Sequence, residues 1–334
     1  MRIESKIMQD WKYDISTPLV SICCTTYNHE NYIAEAIEGF LIQETDFPFE
    51  ILIRDDFSTD KTAKIVQEYA QKYPLIIHPI YEEENTYSKG IRPMQELFKI
   101  AKGKYIALCE GDDYWTDSLK LQKQVDFLEA NLDYGLVCTD MVKYNQKEDK
   151  YEESNIVPLK KGSFEELIHW KNQVWVLTVC FRKSLLDNRP ILDFNIYFGG
   201  DIFLFLHIAQ QSKLKFMPDK TAVYRILEES ASHFKDKMKA IEFTYKVSNT
   251  MLYYLDKHQI SYEVYKSVFY KNMLARFKYA RANRNFDIFK TVKLDLPSNS
   301  NLKILGLQLL YILCKWRPFF QAYTSFSKQI IGKC

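Results

Sequence analysis

Cysteine is sparse and never paired for chemistry. The seven cysteines of this 334-residue chain include the neighbours Cys23 and Cys24 and form no Cys-x-x-Cys. An odd count without that spacing excludes a disulfide framework and a zinc knuckle, and fits a reducing cytoplasm. Glycine and proline are scarce too, ten of each, which excludes a collagen-like or linker-rich chain. There is no signal-peptide core, because Arg2, Glu4, Lys6, Asp10, Lys12 and Asp14 interrupt the N-terminal stretch. The charge-free segment 304–314, between Lys303 and Lys315, reaches only half of the ~20 residues that a spanning helix needs. No transmembrane helix is expected, and the chain is expected in the cytoplasm or peripherally on the inner face of the membrane. Phosphate-binding loops are missing as well. No Gly-x-Gly-x-x-Gly follows a strand and no Gly-x4-Gly-Lys-Ser/Thr occurs, so neither a dinucleotide fold nor a P-loop is present. Phosphate, if bound, must be held through a metal.

What is present is ordinary globular material, 47% hydrophobic and 26% charged, enough for one large or two modest cores. Aromatic residues are abundant at 15%, which favours stacking surfaces or an interface. The net charge of +2 hides an asymmetry: residues 235–334 carry 18 Lys and Arg against 6 Asp and Glu, +12, leaving −10 on residues 1–234. An acidic part suits carboxylates that hold cations. A basic, aromatic part suits an anionic membrane surface, nucleic acid, or simply a solvated face.

Along the chain, residues 19–25 form a β-branched apolar run followed by an amphipathic stretch at 33–41. Residues 49–54 repeat the strand, closed by Asp55 and Asp56, and Ser58, Thr59 and Asp60 offer N-cap residues for a helix reaching Tyr73 before Pro74. Residues 75–80, 93–102 and 105–109 read as strand, helix, strand, the last running into Glu110, Gly111, Asp112 and Asp113. The alternation predicts an α/β fold with a mostly parallel sheet and helices on both faces. Ligands of such sheets bind beyond the carboxyl ends of the strands, which points to Thr25, Tyr27, Asp55, Asp56, Asp112 and Asp113. Carboxylates converging there repel unless protonated or bridged by a cation, and hard oxygen ligands select Mg²⁺ or Mn²⁺.

Four segments, V-S-I-C-C-T-T-Y-N at 20–28, I-R-D-D-F-S-T-D at 53–60, G-K-Y-I-A-L-C-E-G-D-D-Y-W at 103–115 and G-D-I-F-L-F-L-H-I-A at 200–209, together resemble a family 2 glycosyltransferase of the GT-A fold. Residues 235–334 carry no such match and read as a basic helical region. The resemblance covers roughly residues 17–230 and implies a GT-A domain at 17–234, preceded by an extension at 1–16. It implies that Thr25 and Tyr27 hold the nucleotide, that Asp56 bonds the base edge, that Asp112 faces ribose or phosphates, and that Asp113, with Asp112, binds the divalent cation. It makes Asp201 the general base of an inverting transfer from a nucleotide sugar to a glycan acceptor, with a lipid-linked oligosaccharide of surface polysaccharide synthesis as the expected acceptor. This chain departs from the family in having Glu110 at the first acidic position, Gly200 before the base, and Leu227 where the Tyr-Arg-x-His segment has a histidine. Leucine ligates no metal. The Gln-x-x-Arg-Trp motif of processive synthases is absent, so one sugar per encounter is expected. A metal-dependent nucleotidyltransferase also needs clustered carboxylates. Nucleic-acid binding through Arg276, Lys278, Arg281 and Arg284 lacks a recognised motif, and none is expected.

The C-terminal part shows helical spacing at 241–255 and 265–282, a linker at 297–301, and an aromatic group of Trp316, Phe319, Phe320 and Tyr323 beside Arg317. A packed helical lobe and peripheral docking on an anionic leaflet both fit this pattern.

Overall fold

The computed structural model describes residues 2–169, 173–187, 197, 200–227, 236–255 and 261–283. The chain divides into two units, residues 1–194 with 199–233, and residues 195–198 with 234–334.

The first unit holds strands β1 (Val20–Thr26), β2 (Phe49–Asp55), β3 (Ile77–Tyr81), β4 (Tyr105–Leu108), β5 (Tyr114–Trp115), β6 (Tyr134–Asn145), β7 (Lys150–Glu153), β8 (Cys180–Arg182) and β9 (Lys213–Ile226). Its helices are α1 (Glu4–Ile7), α2 (Ile33–Leu41), α3 (Thr62–Lys72), α4 (Pro93–Ile100), α5 (Lys120–Ala130), α6 (Phe164–Leu167) and α7 (Asp201–Ala209). The strands join in one sheet ordered β3-β2-β1-β4-β8-β6-β9-β5, with β7 added beside β6.

The first four sheet positions are parallel, each strand returning through a helix as a parallel crossover requires. β2 is buried at every residue and β1 at every residue but Thr25, which is why both read in sequence as largely apolar runs, interrupted only near their starts by Ser21 and Glu50. The third strand begins at Ile77 instead of residue 75. A turn closed by the Ile76 amide on the Tyr73 carbonyl (3.2 Å) carries Leu75 out to 52% exposure. Beyond β4 the sheet becomes mixed, because β8 inserts antiparallel to both β4 and β6. β6 and β9 then run parallel, with Thr139 opposite Met217 and Asp140 opposite Lys220, so that Pro218 and Asp219 fall in a bulge. Proline lacks the amide that a regular ladder would use, and the bulge accommodates it.

The first sixteen residues belong to this unit: Ile7 enters the core, Trp11 packs edge-on to Phe49, and the Glu4 carboxylate accepts the Leu75 amide at 2.8 Å. Gly39 lets α2 lie directly on β5, since a Cβ there would stand 2.7 Å from the Trp115 nitrogen. Behind β5 the fully buried Lys120 donates to Gln124 Oε1 (2.8 Å) with its ammonium 4.2 Å from the Trp115 ring centre. Burial, the main cause, pushes its ammonium down to about 8.

The second unit pairs α8 (Lys237–Leu255) with α9 (Tyr262–Asn283). These contain the two helices expected from spacing. Tyr245 stacks on Tyr279 at 4.4 Å, and Asn272 donates to Ser248 across a buried polar seam. The expected linker at 297–301, the 304–314 segment and the aromatics from Trp316 to Tyr323 lie outside the described residues. Among the described residues no helix is long and apolar enough to cross a membrane.

Candidate active site

The carboxyl ends of β1, β2 and β4 lie side by side, and the loops that leave them form the site. At the end of β1 the half-buried Thr25 offers its carbonyl to the Gly111 amide at 2.9 Å, tying the first strand to the acidic loop after β4. Gly111 is required by that approach: a Cβ would meet Thr26 Oγ1 at 2.8 Å. Tyr27 follows on the surface, 43% exposed, with its ring open for stacking. Asn28 then takes a left-handed backbone (φ 55°), and its side chain accepts the Thr59 amide, so the β1 and β2 loops are laced together.

The adjacent Asp55 and Asp56 do different work. Asp55 closes its own turn, accepting the Ser58 amide (3.0 Å) and hydroxyl (2.5 Å) around Phe57 at φ 67°. Asp56 is buried and accepts the Thr86 amide (2.9 Å), the Thr86 hydroxyl and the Tyr87 amide (3.0 Å). A carboxylate has about four lone-pair sites, so roughly one remains for a ligand. The expectation that all the strand-end carboxylates meet uncompensated is therefore corrected, because the pair after β2 is satisfied by its own loops.

The loop after β4 is different. One oxygen each of Glu110, Asp112 and Asp113 lie within 4.8 Å of one another. Asp113 is buried, and burial first, then the charge of Asp112, hold its carboxyl well above the usual carboxylate range. Glu110 keeps an exposed surface, but crowding around its carboxyl, followed by the charges of Asp112 and Asp201, pushes it up to about 8. Such a group favours a divalent cation in place of protons, and an all-oxygen donor set fits Mg²⁺ or Mn²⁺.

Asp201 opens α7. It accepts the Ile202 amide at 2.8 Å, and burial raises its carboxyl. Its effect on Glu110 puts it within electrostatic reach of the acidic loop. Gly200 is the N-cap, so Asp201 is the first helical residue and its side chain is not the cap.

Sequence reasoning missed two neighbours. His29, after β1, faces the charges of Asp112, Asp60 and Asp55, yet burial dominates and lowers its imidazole. Its buried Nδ1 has no partner among the described residues. Arg225, in the Tyr-Arg-x-His-like segment, is buried beneath the acidic loop. Its main-chain amide donates to Asp113 Oδ1 (2.8 Å), its Nε to the Asp112 carbonyl (2.9 Å), its Nη1 to Gln146 (2.9 Å) and its Nη2 to Glu35. Only its motif signalled it. Leu227 lies just past the end of β9, half-buried.

Residues 21–187 match the family described as Glycosyl transferase family 2. The chain belongs to that family. Over 210 residues it is 36% identical to an uncharacterized protein of Mycobacterium tuberculosis, Rv1520, covering 62% of this chain and 58% of that one. Over 113 residues it is 38% identical to the Escherichia coli UDP-Glc:alpha-D-GlcNAc-diphosphoundecaprenol beta-1,3-glucosyltransferase WfaP, covering 34% of this chain and 42% of WfaP. The chain thus spans little more than half of the mycobacterial relative. Among solved structures, the mannosyltransferase PcManGT of Pyrobaculum calidifontis, in complex with GDP-Man and Mn²⁺, superposes with a TM-score of 0.54 at 16% identity, covering 96% of this chain and 88% of that one. At that identity the likeness is one of fold, and the fold is the expected GT-A arrangement.

Proposed function

We propose that this family 2 member transfers a single sugar from a nucleotide-sugar donor to a hydroxyl of a glycan acceptor, with inversion and with Mg²⁺ or Mn²⁺ bound. The observation that carries the reading is the acidic loop after β4, with three carboxylate oxygens gathered within 4.8 Å and the Asp201 charge acting on Glu110. Asp113 and Asp112 hold the cation, which when bound neutralises charge developing on the departing nucleoside diphosphate. Thr25 and the exposed Tyr27 hold the nucleotide at the end of β1, and Asp56 offers its remaining lone pair to a base N–H. Asp201 takes the acceptor proton; a carboxyl whose proton affinity is raised by burial is better suited to that task than an ordinary surface aspartate. Attack from the face opposite the leaving diphosphate inverts the anomeric centre.

The acceptor is proposed to be a lipid-linked glycan of surface polysaccharide synthesis, as supported by the polyprenyl-diphosphate acceptor in the name of WfaP. The +12 balance of residues 235–334 would then hold the enzyme at an anionic leaflet where such an acceptor resides. The test is incubation of the full chain with UDP- and GDP-sugars, Mn²⁺ and GlcNAc-diphosphoprenol. The expected result is release of nucleoside diphosphate and a product of inverted anomeric configuration. Formation of pyrophosphate and a nucleotide sugar from a nucleoside triphosphate and a sugar 1-phosphate, in a parallel incubation, would instead identify a nucleotidyltransferase, and retained configuration would refute the assigned role of Asp201.

A further inference from the structure

Across the acidic loop a row of side chains runs from strand to strand: Tyr151 on β7 lies opposite Tyr144 on β6, and Tyr144 lies opposite Arg225 on β9. Tyr114 of β5 closes the row, its hydroxyl 3.2 Å from that of Tyr151. The Arg225 guanidinium sits 5.0 Å from the ring centres of both Tyr32 and Tyr114, and 5.6 Å from that of Tyr144. Its planar fork serves three separate pieces of chain at once: the acidic loop through the Asp112 carbonyl, the end of β6 through Gln146, and α2 through Glu35.

We propose that Arg225 is a positioning residue for the cation site, holding the Asp112–Asp113 peptide in the orientation in which the carboxylates converge. The inference rests on the cation reading above. Two physical points lead to it. Gathering carboxylates is unfavourable without a ligand, so the loop needs an external restraint to remain preorganised, and a buried cation behind it supplies both a directed N–H bond and an offsetting charge on Asp113. Position 227 falls just past the end of β9, two residues beyond Arg225. Leu227 offers no ligand there, and Arg225 works from behind the carboxylates in place of a further donor in front of them. Lysine would preserve charge but not the fork, since an ammonium is a point charge without the fixed planar geometry.

The experiment measures the Mn²⁺ dissociation constant of the full chain by electron paramagnetic resonance of free Mn²⁺, alone and with UDP or GDP, for the unaltered protein, Arg225→Lys and Glu35→Ala. The expected result is Mn²⁺ binding at least tenfold weaker in Arg225→Lys. Glu35 is half-exposed at its side chain, so Glu35→Ala leaves the core intact; releasing Nη2 should weaken binding at least threefold. A merely structural arginine would lower the melting temperature and leave the dissociation constant of the folded protein unchanged. Unchanged binding in folded Arg225→Lys overturns the proposal, and if that variant does not fold, unchanged binding in Glu35→Ala does so. Absence of Mn²⁺ binding in the unaltered protein, with or without nucleotide, refutes the cation reading itself and removes the basis of this one.

Discussion

Lys120 allows a test of the core through pH alone. Its ammonium is wholly buried and meets one hydrogen-bond acceptor and one aromatic face, and burial brings it from 10.5 to about 8. Between those values the unfolded chain holds a proton that the folded chain has released. Stability therefore rises with pH in that window, and the full penalty of the buried charge is present below it. A displacement of that size corresponds to about 3 kcal/mol overall, of which about 2 kcal/mol is recovered between about pH 7 and about pH 9.5. Lys120→Met keeps the volume and removes the titration. The lost bond to Gln124 and the lost ring contact shift the variant's stability by an amount that hardly depends on pH, so they cancel in the comparison. Urea denaturation of both proteins at the two pH values should show the native chain gaining ~2 kcal/mol relative to the variant on going to the higher pH. Parallel stability curves would refute the reasoning, because they would mean that Lys120 titrates alike in the folded and unfolded states.

The other predictions concern the site and its support. Asp113→Ala should abolish transfer and Mn²⁺-dependent nucleotide binding, as read by calorimetric titration, since the buried ligand and the acceptor of the Arg225 amide disappear together. Asp201→Asn should leave the donor dissociation constant within about twofold and reduce kcat by about a hundredfold or more, because the amide fills the same space without accepting a proton. Gly39→Ala should lower stability by about 1–3 kcal/mol in thermal unfolding despite the gain in helix propensity, because its Cβ would press on the Trp115 backbone.

The parallel half of the sheet was legible because β1, β2 and β4 are buried on both faces, which leaves largely apolar runs that end in polar loop residues. The candidate residues at those ends were legible for the same reason. Short or distant features were not. β8 has three residues and carries no period of its own, so its antiparallel insertion left no trace. The difference between Asp55 and Asp56 depends on Thr86 and Tyr87, some thirty residues away, and nothing in the Asp-Asp pair says which side chain reaches them. The bond between Arg225 and Glu35 spans 190 residues, beyond any local pattern.

The anchoring of Asp113 by the main-chain amide of Arg225 also bears on how this protein tolerates insertion and deletion. A backbone donor survives side-chain exchange, so that bond is set by the register of β9 against β5 and would be lost through a slip of the strand or a proline at 225. A slip of one residue would carry the amide ~3.3 Å along the strand and send the flanking side chains to the opposite face. The irregularity at Pro218 and Asp219, followed by a second register shift at Thr221, separates the strand into a proximal part, where an added residue can be absorbed, and a distal part from Ala222 to Ile226 that pairs residue for residue with β6. Loop grafting or tag insertion should therefore be directed upstream of Met217, and the stretch from Lys220 to Ile226 left at its present length.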